Sequence, residues 1–135
     1  MSFKFGRSSE AMLTRIHPDL VKVARRALEI SPYDFGINSS SVRDLETQKQ
    51  LVAEGKSQTL KSRHIVVEPT DLSHAIDINV YDENGKITWE IGYFRKVAQA
   101  FVTAAIELGV QIELGCLWKS FVDGPHIQLP WNLYP

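Results

Sequence analysis

Cysteine is nearly absent. Cys116 stands alone in 135 residues, which excludes an internal disulfide and a cysteine-rich zinc site. No purely apolar run exceeds a few residues, against the ~20 needed to cross a bilayer, so no membrane insertion is expected. Neither charge dominates: 15 Lys and Arg face 16 Asp and Glu, for a net charge of −1. That balance argues against a nucleic-acid partner, which normally selects a basic excess. The opening Met1-Ser2-Phe3-Lys4-Phe5-Gly6-Arg7 has no apolar core and no small-residue cleavage site, so it does not read as a secretory signal. Internal repeats and linkers are also missing. What is present is an ordinary globular composition, 44% hydrophobic and 23% charged. A chain of this length buries about two-thirds of its unfolded surface without metal or disulfide help, and it reads as a single domain over residues 1–135.

Periodicity supplies the elements. Ser8-Ser9-Glu10 offers a helix start ahead of Ala11-Met12-Leu13 and Ile16. His17-Pro18-Asp19 is a second start, because proline suits the first helical position and aspartate the positive helix end. Leu20, Val23, Ala24, Ala27 and Leu28 follow at helical spacing and predict a helix over 18–30. A short strand over 35–37, a serine run at 39–41 and a helix over 45–53 come next, the last closed by Gly55. Residues 56–74 are polar and aperiodic and read as a long loop, of a length that in a compact domain is usually functional or disordered. Residues 75–81 alternate as a half-buried strand before the turn Asp82-Glu83-Asn84-Gly85-Lys86. Ile91, Phe94, Ala98, Phe101, Val102, Ala105 and Leu108 trace the main core helix, over about 89–109. Strands are expected over 110–114 and 126–129, with a short tail from Pro130 to Pro135. The fold class is α+β, a small, mainly antiparallel sheet with helices packed on it.

Four histidines are available, at positions 17, 64, 74 and 126. His64 lies in the long loop, His126 opens a late strand, and Asp77 sits on the polar side of the strand alternation. Two neutral imidazoles and a carboxylate are the ligand types of a catalytic zinc that keeps a fourth position for water. Their separations of 13 and 49 residues do not by themselves identify a site, and no His-Glu-x-x-His signature is present. His74, three residues before Asp77, competes with His64 as a ligand. Cys116 reads as a small buried hydrophobe in an apolar strand rather than as a nucleophile. The acidic turn at 82–84 lacks the ligand count of a dedicated calcium loop.

Three stretches carry a resemblance: Gly55-Lys56-Ser57-Gln58-Thr59-Leu60-Lys61-Ser62-Arg63-His64, then Ser73-His74-Ala75-Ile76-Asp77-Ile78, then Trp118-Lys119-Ser120-Phe121-Val122-Asp123-Gly124-Pro125-His126. Together with the upstream segment from His17 to Phe35, they resemble the D-Ala-D-Ala carboxypeptidase/VanX-like zinc metallopeptidases. The similarity is strongest to the branch of phage L-alanyl-D-glutamate endolysins, over about residues 8–129. The resemblance implies that His64, Asp77 and His126 bind Zn2+ in a cleft on the sheet. It implies that Asp123 is the general base, taking a proton from water and passing it to the leaving amine. It matches Arg43 to an arginine that reaches the substrate carbonyl or oxyanion. Ser62 matches a serine beside the substrate, and Trp118 is placed to line the cleft. Each of these four has a plainer role open to it: a turn cap for Asp123, a surface arginine at a helix start for Arg43, a turn residue for Ser62, a core residue for Trp118.

The activity implied is hydrolysis of a peptide bond in peptidoglycan stem peptides, L-Ala–D-Glu by preference, leading to host lysis. A D,D-carboxypeptidase or dipeptidase, or a catalytically impaired wall-binding phage protein, are the other readings. The chain is expected to act as a monomer and, lacking an export signal, to leave the host cytoplasm through a holin-made lesion. Two departures stand out. Eight residues, Ile65 to Leu72, separate His64 from Ser73, six more than relatives carry, and Ser73 replaces their glycine. Six extra residues cost little in loop-closure entropy, but they threaten to carry His64 away from the site. Cys116-Leu117 also stands where relatives have glycine and an acidic residue.

Overall fold

The computed structural model describes residues 3–55, 62–67, 70–117 and 124–135. Among the described residues four helices, α1 (Arg7–Leu13), α2 (Pro18–Ile30), α3 (Leu45–Ala53) and α4 (Ile91–Leu108), join five strands. The strands are β1 (Phe35–Ile37), β2 (Ala75–Tyr81), β3 (Ile87–Thr88), β4 (Glu113–Leu114) and β5 (His126–Gln128). Every strand pairing is antiparallel, in the order β1-β2-β5-β4, with β3 pairing the far end of β2. The fold is α+β, as expected.

Local chemistry sets the helix ends. At α2 the His17 ring accepts from the Asp19 amide at 3.1 Å and Pro18 occupies the first turn, where its missing N–H costs nothing. At α4 the chain leaves through Gly109 at φ 68°, a left-handed turn that glycine adopts without a Cβ clash. The amide of Val110 then donates to the Ala105 carbonyl at 3.0 Å. α2 packs on α4 through small and aliphatic side chains, with Leu20, Val23, Ala24 and Ala27 meeting a face that includes Val97, Phe101 and Ala104. Ile76, Ile78 and Val80 of β2 point into the same core. Alternation then turns Asp77, Asn79 and Tyr81 to the opposite face of the sheet, away from α2 and α4.

The segment expected as a featureless loop is tied down wherever it is described. Arg43 bridges to Ile65, Val67 to Leu72, and Ile16 to Ser73. Arg63, His64, Ser73 and His74 are buried. Within the segment the Val67 amide donates to the Leu72 carbonyl at 2.8 Å, and Asp71 takes a positive φ of 59°. Its two ends stay fixed, so His64 is not displaced. Periodicity misses this arrangement because single bridges leave no repeating pattern. Two strand expectations shrink or shift. Only Glu113–Leu114 of the 110–114 stretch pairs, and Cys116 sits in a 3-10 turn rather than a strand, though buried as expected.

Candidate metal centre

Register places the first two functional side chains. Asp77 of β2 is the direct cross-strand partner of His126 of β5, so both project from the same face of the sheet. His64 arrives from the tied-down segment: its carbonyl accepts from the Arg43 amide at 2.9 Å, and its own amide donates to Ser62 Oγ at 3.1 Å. The three side chains converge. His64 Nε2 lies 3.1 Å from Asp77 Oδ1 and 2.9 Å from His126 Nδ1, and His126 Nδ1 lies 3.5 Å from the same carboxylate oxygen.

The outward-facing atoms are already engaged. His64 Nδ1 lies 3.1 Å from the Ser41 carbonyl, an acceptor only, so in the neutral ring Nδ1 carries the proton and Nε2 offers a lone pair. Asp77 Oδ2 accepts from Ser40 Oγ at 2.9 Å and from the Arg43 guanidinium at 3.2 Å. Asp77 Oδ1, by contrast, is buried without an aligned hydrogen bond. Two imidazole nitrogens and a carboxylate oxygen in such proximity repel through their lone pairs unless a cation lies between them. Tetrahedral N and O ligands about 2.0–2.1 Å from a metal stand about 3.3 Å from one another, and the observed separations bracket that spacing. The donor set therefore fits one divalent ion.

This geometry sits in a chain whose residues 1–129 match the family described as phage L-alanyl-D-glutamate peptidase. The chain belongs to that family. The L-alanyl-D-glutamate peptidase of Escherichia phage T5 is 38% identical over 144 residues, covering 96% of this chain and 99% of that protein. The L-alanyl-D-glutamate peptidase of Listeria phage A118 is 29% identical over 136 residues, and the match covers 98% of this chain but 44% of that longer protein. Among solved structures, the Serratia marcescens L-Ala D-Glu endopeptidase ChiX is 39% identical, with a TM-score of 0.85 over 99% of this chain and 95% of that one.

Around this family's cluster the remaining residues divide. His74 is excluded from the centre by strand geometry. Three positions before Asp77, it projects from the other face and meets Arg63 at 2.9 Å and the Tyr134 carbonyl at 3.3 Å. Arg43 is neither exposed nor free: its three donor groups reach the Ser40 carbonyl at 2.8 Å, Gln48 Oε1 at 2.9 Å and Asp77 Oδ2. Ser62 holds the turn that presents His64, and with Arg63, Ile65, Val66, Val67 and Trp131 it lines a cavity of about 470 Å³. Burial pushes the Cys116 thiol up, with Arg95 opposing weakly, which suits an inert core residue. Asp123 and Trp118 lie outside the described residues.

The serine run is what the sequence reading overlooked. Asn38 caps it by accepting from the Ser40 amide at 2.9 Å. Ser40 then grips the Asp77 side chain, while Ser41 Oγ accepts from the Asp77 amide at 2.9 Å. Ser73 puts its hydroxyl 2.8 Å from the same Ser41 carbonyl that faces His64. An Asx cap followed by three hydroxyls is a readable turn signal, but nothing in it says which carboxylate the hydroxyls will meet.

Proposed function

We propose that the chain is a zinc peptidase that hydrolyses the L-Ala–D-Glu bond of peptidoglycan stem peptides and lyses the host from within. The observation carrying this reading is the inward convergence of His64 Nε2, Asp77 Oδ1 and His126 Nδ1 to within 2.9–3.5 Å of one another. The family membership and the activities for which the phage T5 and Serratia proteins are named support the scissile bond. Bound at these ligands, zinc would polarise the scissile carbonyl and bring the pKa of a coordinated water to about 7.

The chain's own residues do the rest. Asp77 supplies negative charge to the ion, and Arg43 and Ser40 hold its outer oxygen so that the inner one stays aimed at the centre. Asp123, three residues before His126, is the proposed general base, delivering the water's proton to the departing D-Glu amine. Arg43 and Ser62 are proposed to border the substrate's approach, and Trp118 to line it. Acting as a monomer on peptidoglycan, the enzyme would reach the wall from the host cytoplasm through a holin-made lesion. Among the described residues no helix is long and apolar enough to cross a membrane.

Purified protein incubated with peptidoglycan should release fragments with new N-terminal D-Glu, read by mass spectrometry, and a chelator should stop the release. Asp123→Ala should abolish hydrolysis with zinc content unchanged. Released D-Ala would replace this reading with a D,D-carboxypeptidase, and activity that persists after zinc is stripped would end the metal mechanism.

A further inference from the structure

The two histidines of the centre present different ring nitrogens, and the structure shows what selects the one on His126. Strand alternation places His126 and Gln128 on the same face of β5, and antiparallel register places Glu113 of β4 directly opposite Gln128. The Gln128 amide nitrogen donates to Glu113 Oε1 at 3.0 Å. An ionised carboxylate only accepts, so it dictates which end of the Gln128 amide faces it. The other end, Oε1, therefore faces His126 Nε2, at 2.7 Å. An amide oxygen also only accepts, so Nε2 must carry the ring proton. The lone pair is left on Nδ1, the atom that faces His64 and Asp77.

We propose that Glu113 and Gln128 are positioning residues, a relay that fixes the His126 tautomer and thereby turns the ring into a metal ligand. This rests on the metal reading above and deepens it. Gln128 is 7% exposed, so solvent competes little for the contact, whereas Glu113 sits at the exposed edge of the sheet. Partners of this kind orient a ligand imidazole and raise its basicity, and their loss typically weakens metal binding by about 10–100-fold.

The test compares wild type with Gln128→Leu, Glu113→Leu and Glu113→Gln by two readouts independent of hydrolysis. One is zinc affinity from competition with a chromophoric chelator. The other is the His126 tautomer, read from ring 15N shifts of the zinc-free protein at about pH 8, where a free imidazole is neutral. Gln128→Leu should bind zinc about 10–100-fold more weakly and lose the pure Nε2–H signature. Glu113→Leu should move both readouts in the same direction, because the amide is then free to turn. Glu113→Gln should restore them, its side-chain oxygen accepting in place of the carboxylate. Wild-type affinity and tautomer in Gln128→Leu would overturn the relay. If that variant fails to fold by circular dichroism, Glu113→Leu decides on the same criteria. Wild-type protein that takes up no zinc overturns the metal reading itself, whereas zinc bound equally well by all four proteins overturns only the relay.

Discussion

Replacing Arg43 by methionine keeps much of the side-chain length and deletes every donor. Three contacts go at once: the Ser40 carbonyl, Gln48 Oε1 and Asp77 Oδ2, at 2.8, 2.9 and 3.2 Å. The ion pair involved is nearly closed to solvent, with side-chain exposures of 12% for Arg43 and 13% for Asp77. Removing one partner of a fully buried pair costs about 3–5 kcal/mol, mostly because the other charge is stranded. Some of that is relieved here by the small exposure and by Ser40 Oγ, which still donates to Asp77. The expected loss is therefore about 2–4 kcal/mol. At about 4 °C per kcal/mol for a chain of this size, the melting temperature should fall by about 8–16 °C. Differential scanning calorimetry on the zinc-free protein reads this directly, and chelator competition should show weaker zinc uptake, since the carboxylate is no longer clamped. An exposed arginine devoted to substrate would behave differently, losing hydrolysis with little change in melting. A shift under about 2 °C would refute the claim that Arg43 secures the ligand carboxylate.

Two other outcomes follow from the geometry. Burial first, and the Arg63 charge second, hold the His74 imidazole below its ordinary value, so the folded protein keeps it neutral while the unfolded chain protonates it. Its stabilising contribution is complete above about pH 6.5 and declines as pH falls below that. His74→Gln retains an acceptor for Arg63 without titrating, so thermal melts across pH should show a shallower acid-side decline than wild type. An equally steep decline would mean that His74 is not a source of it. At Gly124 a Cβ would lie 3.2 Å from both Ile91 Cδ1 and Phe94 Cδ2. Gly124→Val should cost about 1–3 kcal/mol by overpacking, and it should depress kcat/KM further by shifting the Pro125–His126 backbone. Undiminished hydrolysis in that variant would show that the loop is not held by this contact.

Much of the scaffold was legible along the chain because its signals are local. The α2 stripe, the proline and aspartate at its start and the Gly109 stop each depend on neighbours within a turn or two, and α4 appears almost where its apolar spacing puts it. The residue types of the centre were legible too, but as ligand chemistry and motif resemblance rather than as a place. Convergence depended on tertiary structure: the Asp77–His126 register, the bridge from Arg43 to Ile65 that carries His64 inward, and the closure of Val67 on Leu72. None of these leaves a periodic trace, and the pairings of Asp77 with His126 and of Arg43 with Ile65, 49 and 22 residues apart, are selected by the energy of the assembled core. The same holds for orientation. Which nitrogen of each imidazole faces inward is decided by acceptors such as the Ser41 carbonyl and Gln128, which meet their histidines only once the sheet has formed. Sequence alone specified which groups were available to hold an ion, while packing set their distances, exposure and proton positions.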